Sequence, residues 1–339
     1  MSENLLVVIN NDKVFQDNNE FFSNNYNLKI LPEGLNNYYK VRYIARQSNK
    51  KGSHKIDLLN IKVASNIINF IYSIFSTFKI KNSKYLIISV TPYTFISFLL
   101  LFLFRKKVFL YLISSGHEEW KYILGWWSVW IYHIMYSIMT SNSSVIINHD
   151  RLYKGKNCNL ITSSTLDEEW LKNYKKVKLD KIKFLYVGRA NPEKGIYEFL
   201  KIFEKIKFEA ELSIVGNLNK INDLKNKNIK LIGYISDKQS LIDVYDNHNI
   251  LILPSFTEAQ PHVVEESLAR RRPVIIFEEI AHIIKEREGI FVAKRTVDSF
   301  SEITEYVIQN YTKIQENIEK NKFPLKQDML KQISKVIDS

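Results

Sequence analysis

LPSFTEAQPHVVEESLARRRPVII occupies residues 253–276. An apolar run ending in Leu251, Ile252 and Leu253 gives way to a short polar loop with Pro261. A predicted helix then opens at Val263, and Pro273 leads into a second apolar run. Glu258 stands before the helix and Glu266 inside it, eight positions apart. A loop carboxylate and a helix carboxylate at this offset can converge on one cleft. The backbone N–H groups between them point at any anion lying at the helix N-terminus.

Upstream, residues 182–188 (IKFLYVG) read as a buried strand. Arg189 follows, then a loop with Pro192, then Glu193, Lys194 and Gly195, and a predicted helix over 196–206. Arg189 and Lys194 at a strand end can stabilise a charge that builds on a leaving group, most strongly where water is excluded. Gly188 lets the backbone approach closely. The strand and helix rhythm continues: strands over 212–215 and 229–232, a helix over 236–246, a strand over 249–253, then a closing strand over 289–292 and a helix over 300–310. Such alternation means a parallel sheet with helices on both faces.

Two motifs in this half, Glu, seven residues, Glu, and Gly-Arg, four residues, Lys-Gly, resemble the nucleotide-sugar signature of the retaining glycosyltransferases of GT-B fold, the glycosyl transferases group 1. That family includes bacterial mannosyl- and glucosyltransferases of cell-surface polysaccharide synthesis. The resemblance covers residues 182–310, and the first half by topology and His117. It implies an α/β protein of GT-B type: two doubly wound, Rossmann-like domains facing a cleft. It implies transfer from a UDP- or GDP-sugar to a glycan or lipid-linked acceptor, in lipopolysaccharide or capsule synthesis, with no cofactor and no metal. By the same resemblance Arg189 and Lys194 meet the diphosphate, Glu258 the sugar hydroxyls and Glu266 the ribose. Backbone around Pro261, His262 and Val263 meets sugar and phosphate, Gly188 and Tyr234 line the donor, and His117 faces the transferred sugar. The chain departs from the family pattern at Ala259, where glycine is usual, and at Arg270, Arg271 and Arg272, which read as a solvated helix end or a second anion site. The loop after the first strand lacks the usual glycine pair. An epimerase of the same fold, or an inactive membrane-associated partner protein, are the competing readings.

A length of 339 residues accommodates two ordinary domains. Hydrophobic content of 45% with only 17 Gly plus Pro describes a globular chain rather than a disordered or collagen-like one. The single cysteine, Cys158, excludes an internal disulfide. With no cationic leader visible, the expectation is a cytoplasmic protein. Of the net charge of +12, residues 1–180 carry +10, from 23 Lys and Arg against 13 Asp and Glu. A basic half suits an anionic partner or serves solubility. Nucleic acid is disfavoured, because the aromatic residues lie in apolar runs rather than interleaved with Lys and Arg.

In the first half, residues 5–9 read as a strand feeding a polar loop at Asn10, Asn11 and Asp12, and 38–44 as another strand. Apolar spacing over 57–75 predicts an amphipathic helix. Residues 85–104 are uncharged over about the length of a membrane span. Pro92 divides them, however, and Thr91-Pro92 signals a helix start, so strand, loop and helix is the better parse, followed by a strand over 108–113. Residues 120–139 hold four tryptophans and three tyrosines. They fit either a core helix or the headgroup zone of an inner membrane leaflet. Strands over 144–148 and 158–162 complete an acceptor-side domain at 1–165. A lysine-rich linker spans 165–180, a donor domain 181–312, and a helical tail, 313–339, crosses back or not.

Overall fold

A computed structural model of the chain describes residues 4–177, 179–216, 226–258 and 260–339; the departure at Ala259 lies outside them. The chain divides into two compact units, residues 1–165 with 326–339, and residues 166–325.

Unit 1 contains β1 (Leu5–Asp17), β2 (Glu20–Ser23), α1 (Tyr26–Leu35), β3 (Lys40–Gln47), β4 (His54–Ile56), β5 (Ile61–Ala64), α2 (Ile67–Phe75), β6 (Lys84–Ile88), α3 (Pro92–Leu103), β7 (Val108–Leu112), α4 (Gly116–Leu124), α5 (Ser128–Ser141), β8 (Ser144–Ile147) and β9 (Cys158–Leu160). Its parallel strands run in the order β5-β3-β1-β6-β7-β8-β9. Strands such as Val108-Phe-Leu-Tyr-Leu112 are buried along their whole length because helices cover both faces. One face carries α1 and the C-terminal helix Lys326–Asp338; the other carries α2, α3 and α5.

Two readings of this half are corrected. The segment after Ile9 is no loop: β1 bulges between Ile9 and Lys13 and runs on to pair antiparallel with β2. Ser23 Oγ donates to Asp12 Oδ2 at 2.7 Å, which fixes that hairpin. Of the helix expected over 57–75 only Ile67–Phe75 is helical, and Ile61–Ala64 is a strand. Ile61-Lys-Val-Ala64 alternates and pairs with β3, and the helix begins only where Asn66 caps it by accepting from the Asn69 N–H at 2.9 Å. Thr91 and Pro92 do open α3, with a reciprocal capping box to Thr94. Among the described residues no helix is long and apolar enough to cross a membrane.

Unit 2 contains β10 (Ile182–Val187), α6 (Ile196–Phe203), β11 (Ala210–Val215), β12 (Ile229–Gly233), α7 (Lys238–Asp246), β13 (Ile250–Leu253), α8 (His262–Ala269), β14 (Val274–Phe277), β15 (Ile290–Ala293), α9 (Val297–Gln309) and α10 (Tyr311–Ile318). Its strands are parallel in the order β12-β11-β10-β13-β14-β15. The winding reverses between β10 and β13, and in open α/β sheets ligands bind outside the carboxyl ends of the strands at that point.

The expected linker and the expected solvated arginines are corrected together. Leu166 and Trp170 belong to the core of unit 2, with the Trp170 ring edge-on to Tyr245 at 5.6 Å. Arg270 and Arg272 are 1% and 2% exposed. Arg270 donates from Nε and Nη2 to the two oxygens of buried Asp246, at 2.9 and 2.7 Å. Its remaining N–H groups reach the carbonyls of Trp170, Lys172 and Asn173 at 3.0, 2.6 and 3.0 Å. Arg272 donates to the carbonyls of His248, Arg270, Lys175 and Asp246. A buried guanidinium needs such partners for its fixed fork of donors, and the 170–175 segment supplies them. Only Arg271 keeps to the surface, stacked on Tyr174 and paired with Glu319.

Candidate active site

Gly188, Arg189, Lys194 and Glu258 lie in the loops that follow β10 and β13, strands that are paired in parallel with Phe184 opposite Ile250 and Leu185 opposite Leu251. Beyond β10, the Gly188 N–H donates to the Val215 carbonyl at 2.9 Å. Gly216 opposite has φ +139°, and a Cβ on it would run into the Gly188 carbonyl oxygen. The chain then makes a 3-10 turn over Pro192–Lys194 and passes through Gly195 at φ +63°, where a Cβ would run into the Pro254 carbonyl oxygen. Both positions therefore require glycine. The two loops are laced together by the Phe256 N–H, which donates to the Glu193 carbonyl at 3.0 Å. Arg295 holds the second loop from below: it donates to the Pro254 carbonyl at 3.1 Å and lies over Phe256 and Phe277 at 4.2 and 4.5 Å.

This lacing brings Lys194 Nζ to 2.7 Å from Glu258 Oε1, with the two side chains 22% and 12% exposed. Ser255 Oγ donates to the same oxygen at 2.7 Å. The buried Tyr186 hydroxyl donates to the Arg189 carbonyl at 2.7 Å. Burial pushes that phenol up, the Glu258 charge pushes it further, and Arg189 opposes both, so the tyrosine lies within the field of both residues. Glu266 is held separately on α8, where its Oε2 accepts from the Tyr245 hydroxyl at 2.8 Å. Burial, then the Glu266 charge, raises the Tyr245 phenol well above its usual range, so it stays a donor.

Pro261 caps α8, and His262 and Val263 form its first turn. Burial drives the His262 imidazole down to about 4, so it is neutral at physiological pH, and its Nδ1 is shut away without a described hydrogen-bond partner. Tyr234 follows β12, the edge strand, and is 43% exposed. Only β11 lies between β12 and β10, so two strand spacings, about 10 Å, separate them. His117, in unit 1, lies in the first turn of α4 just past β7. Its Nε2 is 3.2 Å from His133 Nδ1, and its ring packs on Tyr132 and Tyr136. Burial lowers its pKa, and His133 lowers it further against the opposing pull of Glu118.

Tyr186, Ser255 and Arg295 were not legible as site residues. Tyr186 is one more aromatic in a buried strand, and Arg295 arrives from beyond β15. Only Ser255, three residues before Glu258, carried a local hint. Among the described residues no three His, Cys, Asp or Glu side chains gather to hold a metal ion. What the arrangement offers chemically is a paired cation and carboxylate beside a strand-end loop carrying a second cation.

Comparison with known proteins agrees with this reading of unit 2. Residues 167–323 match the family described as "Glycosyl transferases group 1". The chain is 28% identical over 152 residues to the capsular polysaccharide biosynthesis glycosyltransferase CapM of Staphylococcus aureus, covering 40% of this chain and 39% of that protein. It is 28% identical over 131 residues to the putative teichuronic acid biosynthesis glycosyltransferase TuaC of Bacillus subtilis (strain 168), covering 38% of this chain and 33% of that protein. The matched segments thus span well under half the length of these relatives. Among solved structures, Anabaena Alr3699/HepE in complex with UDP-glucose superposes with a TM-score of 0.72 at 12% identity, over 98% of this chain and 99% of that one. The fold is GT-B, an α/β pair of Rossmann-like units. Residues 167–323, the segment that matches the glycosyl transferases group 1, carry Arg189, Lys194, Glu258 and Glu266.

Proposed function

We propose that the chain is a retaining glycosyltransferase that moves a sugar from a UDP- or GDP-sugar to a glycan or lipid-linked acceptor of a cell-surface polysaccharide. The observation that carries this reading is the 2.7 Å contact of Lys194 with Glu258 at the switch point of unit 2, inside the segment that matches group 1. A nucleotide diphosphate offers two chemistries side by side, an anionic phosphate pair and a hydroxyl-rich sugar. An ammonium beside a carboxylate is complementary to that junction. In this proposal Lys194 and Arg189 take the diphosphate, aided by the first-turn N–H groups of α8 at His262 and Val263. Glu258 accepts from sugar hydroxyls and Glu266 from the ribose. Tyr186 holds the Arg189 loop in position.

The reaction would break the bond between the anomeric carbon and the phosphate oxygen. A new bond forms from the acceptor hydroxyl on the same face, and the acceptor proton passes to the departing diphosphate. Negative charge grows on that diphosphate as the bond lengthens, so Lys194 and Arg189 bind the transition state more strongly than the substrate. His117 of unit 1 is assigned to the transferred sugar. Burial and His133 lower the pKa of its ring, and a neutral imidazole can accept or donate one hydrogen bond.

The deciding experiment screens UDP- and GDP-sugars for a rise in melting temperature, then follows transfer of radiolabelled sugar to a lipid extract. Saturable binding and acceptor-dependent transfer support the proposal. Turnover of the donor without any acceptor would make the protein an epimerase, and the absence of all binding would make it a non-catalytic partner.

A further inference from the structure

We propose that the outer face of the α2, α3 and α5 layer in unit 1 is a docking surface for a bilayer leaflet rich in anionic lipid. The inference stands apart from the glycosyl-transfer reading, because it concerns the other unit and needs no sugar.

The three helices lie on one face of the unit 1 sheet and bury Phe70, Ile74, Phe98, Leu101, Met135 and Met139 against it. A helix packed on one side only ordinarily turns polar residues outward. These do not. α3 (PYTFISFLLLFL) and α5 (SVWIYHIMYSIMTS) hold no Asp, Glu, Lys or Arg at all. Of the 27 large apolar side chains that the described residues expose, 17 fall between Ile68 and Ile138, 11 of them on α2, α3 and α5 themselves. Leu103 of α3 and Trp130 of α5 are 76% and 73% exposed, and Trp126, just before α5, is 77% exposed. Monomeric proteins rarely leave such a contiguous apolar surface uncovered.

The charge around the face says what covers it. From residue 58 to residue 149 the chain holds eight Lys and Arg but only two acids, Glu118 and Glu119, both on α4. Basic residues gather where α2 and α3 end: Lys79, Lys81, Arg105 and Lys107 are exposed, and Lys106 lies over the Phe78 ring at 5.0 Å. The Phe75, Phe78 and Phe104 rings knit the two helix ends together, at 5.1 to 5.5 Å. An apolar face rich in tryptophan and rimmed by cations complements acyl chains below and anionic headgroups around them. A second copy of the chain would present the same cations to this rim and repel it.

The full-length chain is sedimented, without any nucleotide sugar, with vesicles of phosphatidylcholine alone and with vesicles half phosphatidylglycerol. The expected result is binding to the anionic vesicles at least tenfold tighter than to the neutral ones, with a blue shift of tryptophan emission. Leu103→Glu with Trp130→Glu should weaken that binding tenfold or more and leave the thermal melt and any donor binding unchanged. Should that pair fail to fold, Arg105→Glu with Lys107→Glu, which leaves the apolar face intact, should abolish the preference for anionic vesicles. Failure of the unaltered chain to bind vesicles overturns the proposal, as does binding that survives both folded variants. A concentration-dependent dimer without vesicle binding, dispersed by the Leu103 and Trp130 changes, overturns it in favour of self-association.

Discussion

Replacing Arg270 by alanine is the most informative perturbation of unit 2. In the folded protein all five guanidinium N–H groups are used, two on the Asp246 carboxylate and three on the carbonyls of Trp170, Lys172 and Asn173. Arginine and aspartate side chains are each 1% exposed. Alanine leaves Asp246 with one cation, Arg272, whose nearest approach is 3.6 Å. It also strands three carbonyls that had been paired. Breaking a buried ion pair by removing one partner costs about 3–5 kcal/mol. For a unit of this size that is a fall in melting temperature on the order of 10 °C. Calorimetry on the whole chain, with tryptophan emission to report Trp170, reads the loss. The double variant Arg270→Met with Asp246→Leu should recover part of it, because no charge is then left buried. Arg270→Lys should recover little, since an ammonium has three donors on a point and not five in a plane. A loss below about 1 kcal/mol for Arg270→Ala, the range of an exposed pair, would refute the reasoning.

Three other outcomes are expected. Gly195→Ala puts a side chain at φ +63° and against the Pro254 carbonyl; the left-handed backbone alone costs about 1–2 kcal/mol, and calorimetric titration should show donor affinity falling as Lys194 is displaced. Tyr186→Phe removes the hydroxyl that holds the Arg189 carbonyl and should weaken donor binding about fivefold, the worth of one hydrogen bond. Burial holds His262 down to about 4 from 6.5, so between those values the unfolded chain takes a proton that the native one refuses. Stability should accordingly fall as pH drops from 6.5 to 4, by up to about 3 kcal/mol. Urea titrations across that range should show a shallower fall for His262→Gln.

The sequence made the alternation of unit 2 readable because the central strands β13 and β14 are uninterrupted apolar runs and two of the helices start at a side-chain cap, Asp237 for α7 and Thr296 for α9. The spacing of Arg189, Lys194 and Glu258 put three charged groups in loops after strands, and Glu266 on the following helix. It could not say which would touch, since the Lys194 and Glu258 contact depends on the lacing of two loops by main-chain bonds. The arginine run was misread for a physical reason: charges after a helix normally face water, and what buries these is backbone 97 to 100 residues earlier. In unit 1 the helix expected over 57–75 lost its first turns because β-branched Ile61 and Val63 fill an edge of the sheet. The tryptophan segment was ambiguous between core and membrane because α5 has two apolar faces, burying Tyr132, Met135 and Met139 and exposing Trp130 and Ile134.

The central claim is that unit 2 grips a nucleotide diphosphate sugar through Lys194 and its carboxylate partner. Isothermal titration of the intact chain and of Lys194→Ala with the nucleotide sugar chosen by the thermal screen tests it most directly. The account predicts saturable one-site binding for the former and a loss of about a hundredfold for the latter, the equivalent of a charge-assisted contact to phosphate. Equal affinities for the two proteins, each with an unchanged melt, would contradict it.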